Sequence, residues 1–137
     1  MRKTGNDIEA DIFTLVSESA LASAIDGGVY RKGTRPLNSK KEDILVAFVG
    51  GIDGQKQEGI VNVNAYVNNI DNNSGAKVKD IGRCKELEHA LQSFIEEAAI
   101  ENYDLWPDKQ IDTYEVQNTE QHCVNLRIAY KRSTIND

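Results

Sequence analysis

Apolar residues return at helical spacing near the start of the chain. Ile8, Ile12, Leu15 and Val16 fall on one face of a helix, Asn6 or Asp7 is placed to cap it, and Glu9 lies early enough to favour the dipole. Ser17-Glu18-Ser19 interrupts that period, and residues 20–25 supply good helix formers for a short second turn. Gly27-Gly28 then stops it, because glycine takes a left-handed C-terminal cap at little steric cost. Val29-Tyr30-Arg31 predicts a short strand. Gly33, Thr34, Pro36, Asn38 and Ser39 predict that residues 32–42 are a connection.

The period then changes from helical to alternating. Ile44-Leu45-Val46-Ala47-Phe48-Val49 is an apolar run of strand length, rich in β-branched and aromatic residues. Gly50-Gly51 and Asp53-Gly54 mark a turn, after which Val61, Val63, Ala65 and Val67 alternate with Asn62, Asn64 and Tyr66. Such alternation buries one face and leaves the other wet or against a partner, so the two strands are expected to pair as an antiparallel hairpin. Residues 68–79, rich in Asn, Asp, Ser and Gly, predict a flexible exposed loop.

From Asp80 the helical period returns, with Ile81, Cys84, Leu87, Leu91, Phe94, Ile95 and Ala98 on one face and Arg83, Lys85, Glu86, Glu88, Gln92 and Glu96 pointing mostly away. Trp106-Pro107, within 103–109, is expected to end this region. Two strands, 111–116 and 123–130, follow around the turn Gln117-Asn118-Thr119-Glu120, and the tail 133–137 is expected to be loose. Nothing divides the chain, so residues 1–137 form a single α+β domain. Its antiparallel sheet of about four to five strands packs on a long helix and an N-terminal helix. The connections 32–42 and 68–79 are long for a compact domain, which marks them as candidate interaction surface.

Charge narrows the partners. The net charge of −6 speaks against nucleic-acid contact, which needs clustered Lys and Arg. The one basic run, from Arg31-Lys32 through Arg35 to Lys40-Lys41, is diluted by turn residues and reads as a solvated loop. No apolar stretch reaches membrane-spanning length, and none follows the basic start as a secretory signal requires. Without such a signal the sequon Asn72-Asn73-Ser74 means only a polar surface loop.

The chemistry is sparse. Cys84 with His89, and His122 with Cys123, invite a zinc reading, but residues five apart on a helix do not closely share a face and neighbours on a strand point oppositely. Both thiols fall on apolar faces, where an inert buried cysteine is the norm. Gly50-Gly51-Ile52-Asp53-Gly54 precedes a strand and lacks a phosphate-loop lysine, and Glu96, Glu97 and Glu101 read as a solvated helical face. No catalytic residue, metal or cofactor is therefore expected, and function is expected to lie in docking.

One resemblance runs along this order of elements. Ser-Glu-Ser-Ala-Leu-Ala-Ser-Ala-Ile over 17–25, then Gly27-Gly28-Val29-Tyr30, then Arg35-Pro36 and a strand pair, resembles the small tail-completion proteins of tailed phages, which belong with the tail terminators at the head–tail joint. The likeness covers nearly the whole chain in element order and rests mainly on 20–36 and on the strand pattern of 60–67. It implies a ring, commonly hexameric, that caps the tail tube and meets the head connector. Its partners would be itself and other tail or head-connector proteins, and its location cytoplasmic during assembly and then the virion. Contacts would come from Arg31 and Arg35, from Gln55 and Gln57 at the hairpin tip, from Asn72 and Asn73, and from Trp106. The rival readings are a host protein-binding adaptor using the same surfaces, and a small enzyme using Cys84 or Cys123 with a histidine.

Overall fold

Two strands of 13 residues, Lys56–Asn68 and Gln121–Ser133, pair antiparallel in unbroken register and form the middle of the sheet. The structure, a computed structural model, describes residues 1–135. In chain order its elements are α1 (Gly5–Ser17), a 3-10 turn (Ala20–Ser23), β1 (Val29–Arg31), β2 (Ile44–Ile52), β3 (Lys56–Asn68), β4 (Ile70–Asp71), β5 (Lys77–Val78), α2 (Ile81–Glu97), β6 (Tyr103–Pro107), β7 (Asp112–Glu115) and β8 (Gln121–Ser133). The main sheet runs β1-β2-β3-β8-β6, with β7 also on β8, and β4-β5 is a separate small ladder.

The alternation expected in β3 sets the layers. Val61, Val63, Ala65 and Val67 face the helices with Val124, Leu126, Ile128 and Tyr130 of β8 and with Ile44 and Val46 of β2. From above, Ile8, Ile12 and Val16 of α1 and Cys84, Leu87, Leu91, Phe94 and Ile95 of α2 complete the core. Each such fully buried aliphatic side chain contributes about 1.5–3 kcal/mol, which makes this interface the main source of stability.

Several expectations need correction. Thr4, not Asn6 or Asp7, caps α1: its side chain accepts from Asp7 N–H while the Asp7 carboxylate accepts from Thr4 N–H, a capping box. The sheet has six strands rather than four to five, and it is not wholly antiparallel, since β1 runs parallel to β2. Parallel neighbours need a crossover of roughly a dozen residues or more, which accounts for the long connection at 32–42. The stretch 103–109 is no mere helix stop: β6 lies within it and pairs with β8 from Tyr103↔Arg132 to Pro107↔Ile128. A proline is tolerated there because it ends an edge strand. Residues 68–79 contain the β4-β5 ladder rather than only loop. Ile81, placed on the buried face of α2, is 71% exposed in its first turn.

Glycine explains two close approaches. Gly27 is not a left-handed cap; a Cβ there would lie 2.1 Å from Asp43 Oδ1 and 2.5 Å from the Glu42 carbonyl. Gly50 and Gly51 are not turn residues but belong to β2, and a Cβ on Gly51 or on its partner Gly59 would meet the Tyr130 hydroxyl at 2.6 or 2.7 Å. The glycine pair thus leaves room for the tyrosine tip. Of the tail expected to be loose, Ser133 closes β8 and Thr134 N–H donates to the Gln55 carbonyl at 2.9 Å. Residues 136–137 lie outside those described.

Candidate interaction face

The sheet face opposite the helices is the candidate site. Because side chains alternate, placing Val61 to Val67 inward turns Asn62, Asn64 and Tyr66 outward. Register then lines up Tyr66, Cys123 and Tyr114 in one row and Leu45, Asn64, Asn125 and Asp112 in another. Asn125 donates to Asn64 at 2.7 Å and to Asn62 at 3.3 Å, so the amides, Asn64 and Asn125 of them buried, satisfy one another within the face. Further along, Gly50, Ile60, Ala129 and Trp106 share a row, and Trp106 is 44% exposed. Among the described residues no helix or second sheet packs on this face; it combines aromatic rings and amides, a chemistry suited to docking.

At one corner the loop 32–42 reaches over the face. The Arg35 guanidinium lies 3.9 Å from the centre of the Tyr66 ring, donates to Asp43 Oδ2 at 2.9 Å and reaches the Gln121 amide oxygen at 3.1 Å. Asp43 is buried and also accepts from Gly28 N–H at 3.0 Å and from the Ser39 hydroxyl. Burial alone would raise the Asp43 carboxyl, but the hydrogen bonds from Ser39, Gly28 and Arg35 outweigh it and hold the group below its ordinary value. This anchored corner was only half visible beforehand. Arg35 was marked, but nothing in the local pattern singles out Asp43, Tyr66 or Gln121, which meet only through strand register.

The other marked residues fare differently. Arg31 donates to Glu9 Oε1 at 3.0 Å and to the Asn6 carbonyl at 2.8 Å, so it fastens the start of α1 to β1. Gln57 is a correction: it is buried, accepting from Lys3 N–H and from Arg132 and donating to the Lys3 carbonyl and Asp53. It closes the hairpin end against the residues before α1 and offers nothing to a partner. Gln55 is exposed, as are Asn72 and Asn73 in the connection between β4 and β5, with Asn73 at φ 67°. The structure brings none of these to the Arg35 corner.

The thiols and histidines do not converge. Cys84 is in the core under α2, Cys123 is on the opposite face of the sheet, His89 is exposed, and the His122 ring pairs with Asn69. Burial pushes the Cys123 thiol up to about 11, against the opposing pull of the Tyr114 hydroxyl and of Arg35, and burial raises Cys84 as well. Little thiolate forms at neutral pH in either place. Among the described residues no His, Cys, Asp and Glu side chains group as a metal site, and no helix is long and apolar enough to cross a membrane. No family model matches this chain, and no curated protein matches it.

Proposed function

We propose that this chain is a non-catalytic assembly subunit, a phage tail-completion protein that self-associates into a ring, caps the tail tube and joins it to the head. The observation that carries the reading is the half-covered sheet. Both helices lie on one face, while the other presents Trp106 and Tyr114, each about half exposed. The edges are open too. β1 covers only Ile44 to Val46 of β2 and the Glu9 side chain takes the Phe48 N–H, which leaves β2 from Val49 to Ile52 without an outer strand among the described residues. Free edges and aromatic faces are what strand addition and protein docking use. The order of elements that resembles tail-completion proteins supports the virion setting, with assembly in the cytoplasm. Buried, separated thiols favour this reading over a thiol enzyme.

The test is mass in solution, by light scattering across a concentration series at moderate salt. A discrete, ring-sized oligomer growing in with concentration is the expected result. A monomer at every concentration would count against self-assembly and favour an adaptor that uses the same face on one partner.

A further inference from the structure

The connection between β1 and β2 carries an apolar side chain on a rigid mount. Ser39 N–H donates to the Pro36 carbonyl at 3.2 Å and closes a turn. Arg35 on one side and Ser39 on the other both bond to buried Asp43, and the Asn68 amide donates to the Lys40 carbonyl. Leu37, inside that turn, is 100% exposed. A leucine exposed on a floppy loop is ordinary. Here the backbone on both sides is anchored, so folding has already ordered the loop that carries the side chain and docking has only the side chain left to order.

A matching hole lies on the helix layer. Between the C-terminal ends of α1 and α2, Leu15, Leu21, Ala24, Ala90 and Phe94 line an apolar groove of about 330 Å3. Charge distinguishes the two surfaces. Residues 31–41 include Arg31, Lys32, Arg35, Lys40 and Lys41 and no carboxylate. The segments lining the groove, within 15–24 and 90–98, contain no lysine or arginine, and Glu18, Glu96 and Glu97 are exposed there. Arg31 and Arg35 are paired within the chain, which leaves Lys32, Lys40 and Lys41 exposed in the loop that holds Leu37.

We propose that Leu37 of one copy seats in the groove of the next, with the lysines of its loop against the glutamates at the groove. The loop belongs to the open face and the groove to the helix layer, so the contact is head-to-tail, of the kind that closes into rings. This deepens the self-association reading and rests on it. The lysine–glutamate attraction is exposed and weakens as salt is raised.

The test is complementation between two variants. Leu37→Asp removes the knob, and Ser93→Trp fills the groove from an exposed position on α2. At concentrations where the unaltered chain assembles, each variant alone should sediment as a monomer, melting like the unaltered chain diluted to monomer, its association weakened about tenfold or more, as expected for losing a buried leucine contact. An equal mixture should form a dimer and stop there, because only one productive knob and one productive groove remain. If Leu37→Asp assembles like the unaltered chain, the knob assignment is wrong while self-association stands. If the variants are monomeric alone and in the mixture, the head-to-tail pairing is overturned. If the unaltered chain never assembles, both readings fall together.

Discussion

The Glu9 carboxylate accepts the backbone N–H of Phe48 at 2.9 Å, at the residue where β2 slips register against β3. Ile44 and Val46 turn their backbone groups toward β1, so Phe48, two residues on, turns its N–H to the same side beyond the end of β1, and an unpaired N–H away from water is costly. The other carboxylate oxygen takes Arg31 at 3.0 Å, so one buried side chain on α1 holds both β1 and β2. Helix and sheet edge are thereby tied at the open end of the sheet.

Replacing Glu9 by Ala should lower stability by about 2–4 kcal/mol, because it orphans the Phe48 N–H and leaves Arg31 with Asn6 but no carboxylate. Glu9→Gln retains an acceptor for Phe48 and should lose roughly half as much. Urea denaturation of the two variants measures this. Equal losses would mean that the Phe48 hydrogen bond contributes nothing.

Asp43 links the anchored loop to pH. Its folded-state value is lowered, so its contribution to stability is present above the unfolded value of 3.8 and is lost as pH falls through the folded value. Asp43→Asn should cost about 3 kcal/mol at neutral pH and flatten the acid limb of the stability curve. It should also release the turn around Leu37, so that trypsin cleaves after Lys32 or Lys40 faster than in the unaltered chain. Unchanged cleavage would show that Asp43 does not hold the loop.

Cys123 supplies the opposite limb. Its thiol is raised from 9.0 to about 11 by burial, so the neutral form is favoured in the folded chain. That contribution is complete below pH 9.0 and disappears as pH rises through about 11. Iodoacetamide at neutral pH should modify neither Cys84 nor Cys123 in the folded chain and both in urea, followed by mass spectrometry. Rapid native labelling of Cys123 would mean that the row under Tyr66 and Tyr114 opens in solution.

Local periodicity was enough for the elements with strong faces. Ile8, Ile12 and Val16 announced α1, Leu87 and Leu91 announced α2, and the valines of β3 announced both a strand and its buried side. β6 was hidden because Trp106-Pro107 carries the signature of a stop, and only pairing with β8 shows that the proline sits where no outward hydrogen bond is needed. Gln57 looked like hairpin-tip surface, yet the Lys3 backbone and Arg132 bury it, and both partners are remote in sequence.

From the order of residues alone follow two helices, a hairpin, an alternating central strand and the prospect of one open face, because these depend on spacings of two to four residues that the backbone enforces locally. The parallel placement of β1, the sixth strand, the Asp43 anchor beneath Leu37 and the distance between the thiols were decided by the tertiary structure. Each is a meeting of residues far apart in the chain, and such meetings are set by strand register and by which buried groups find partners.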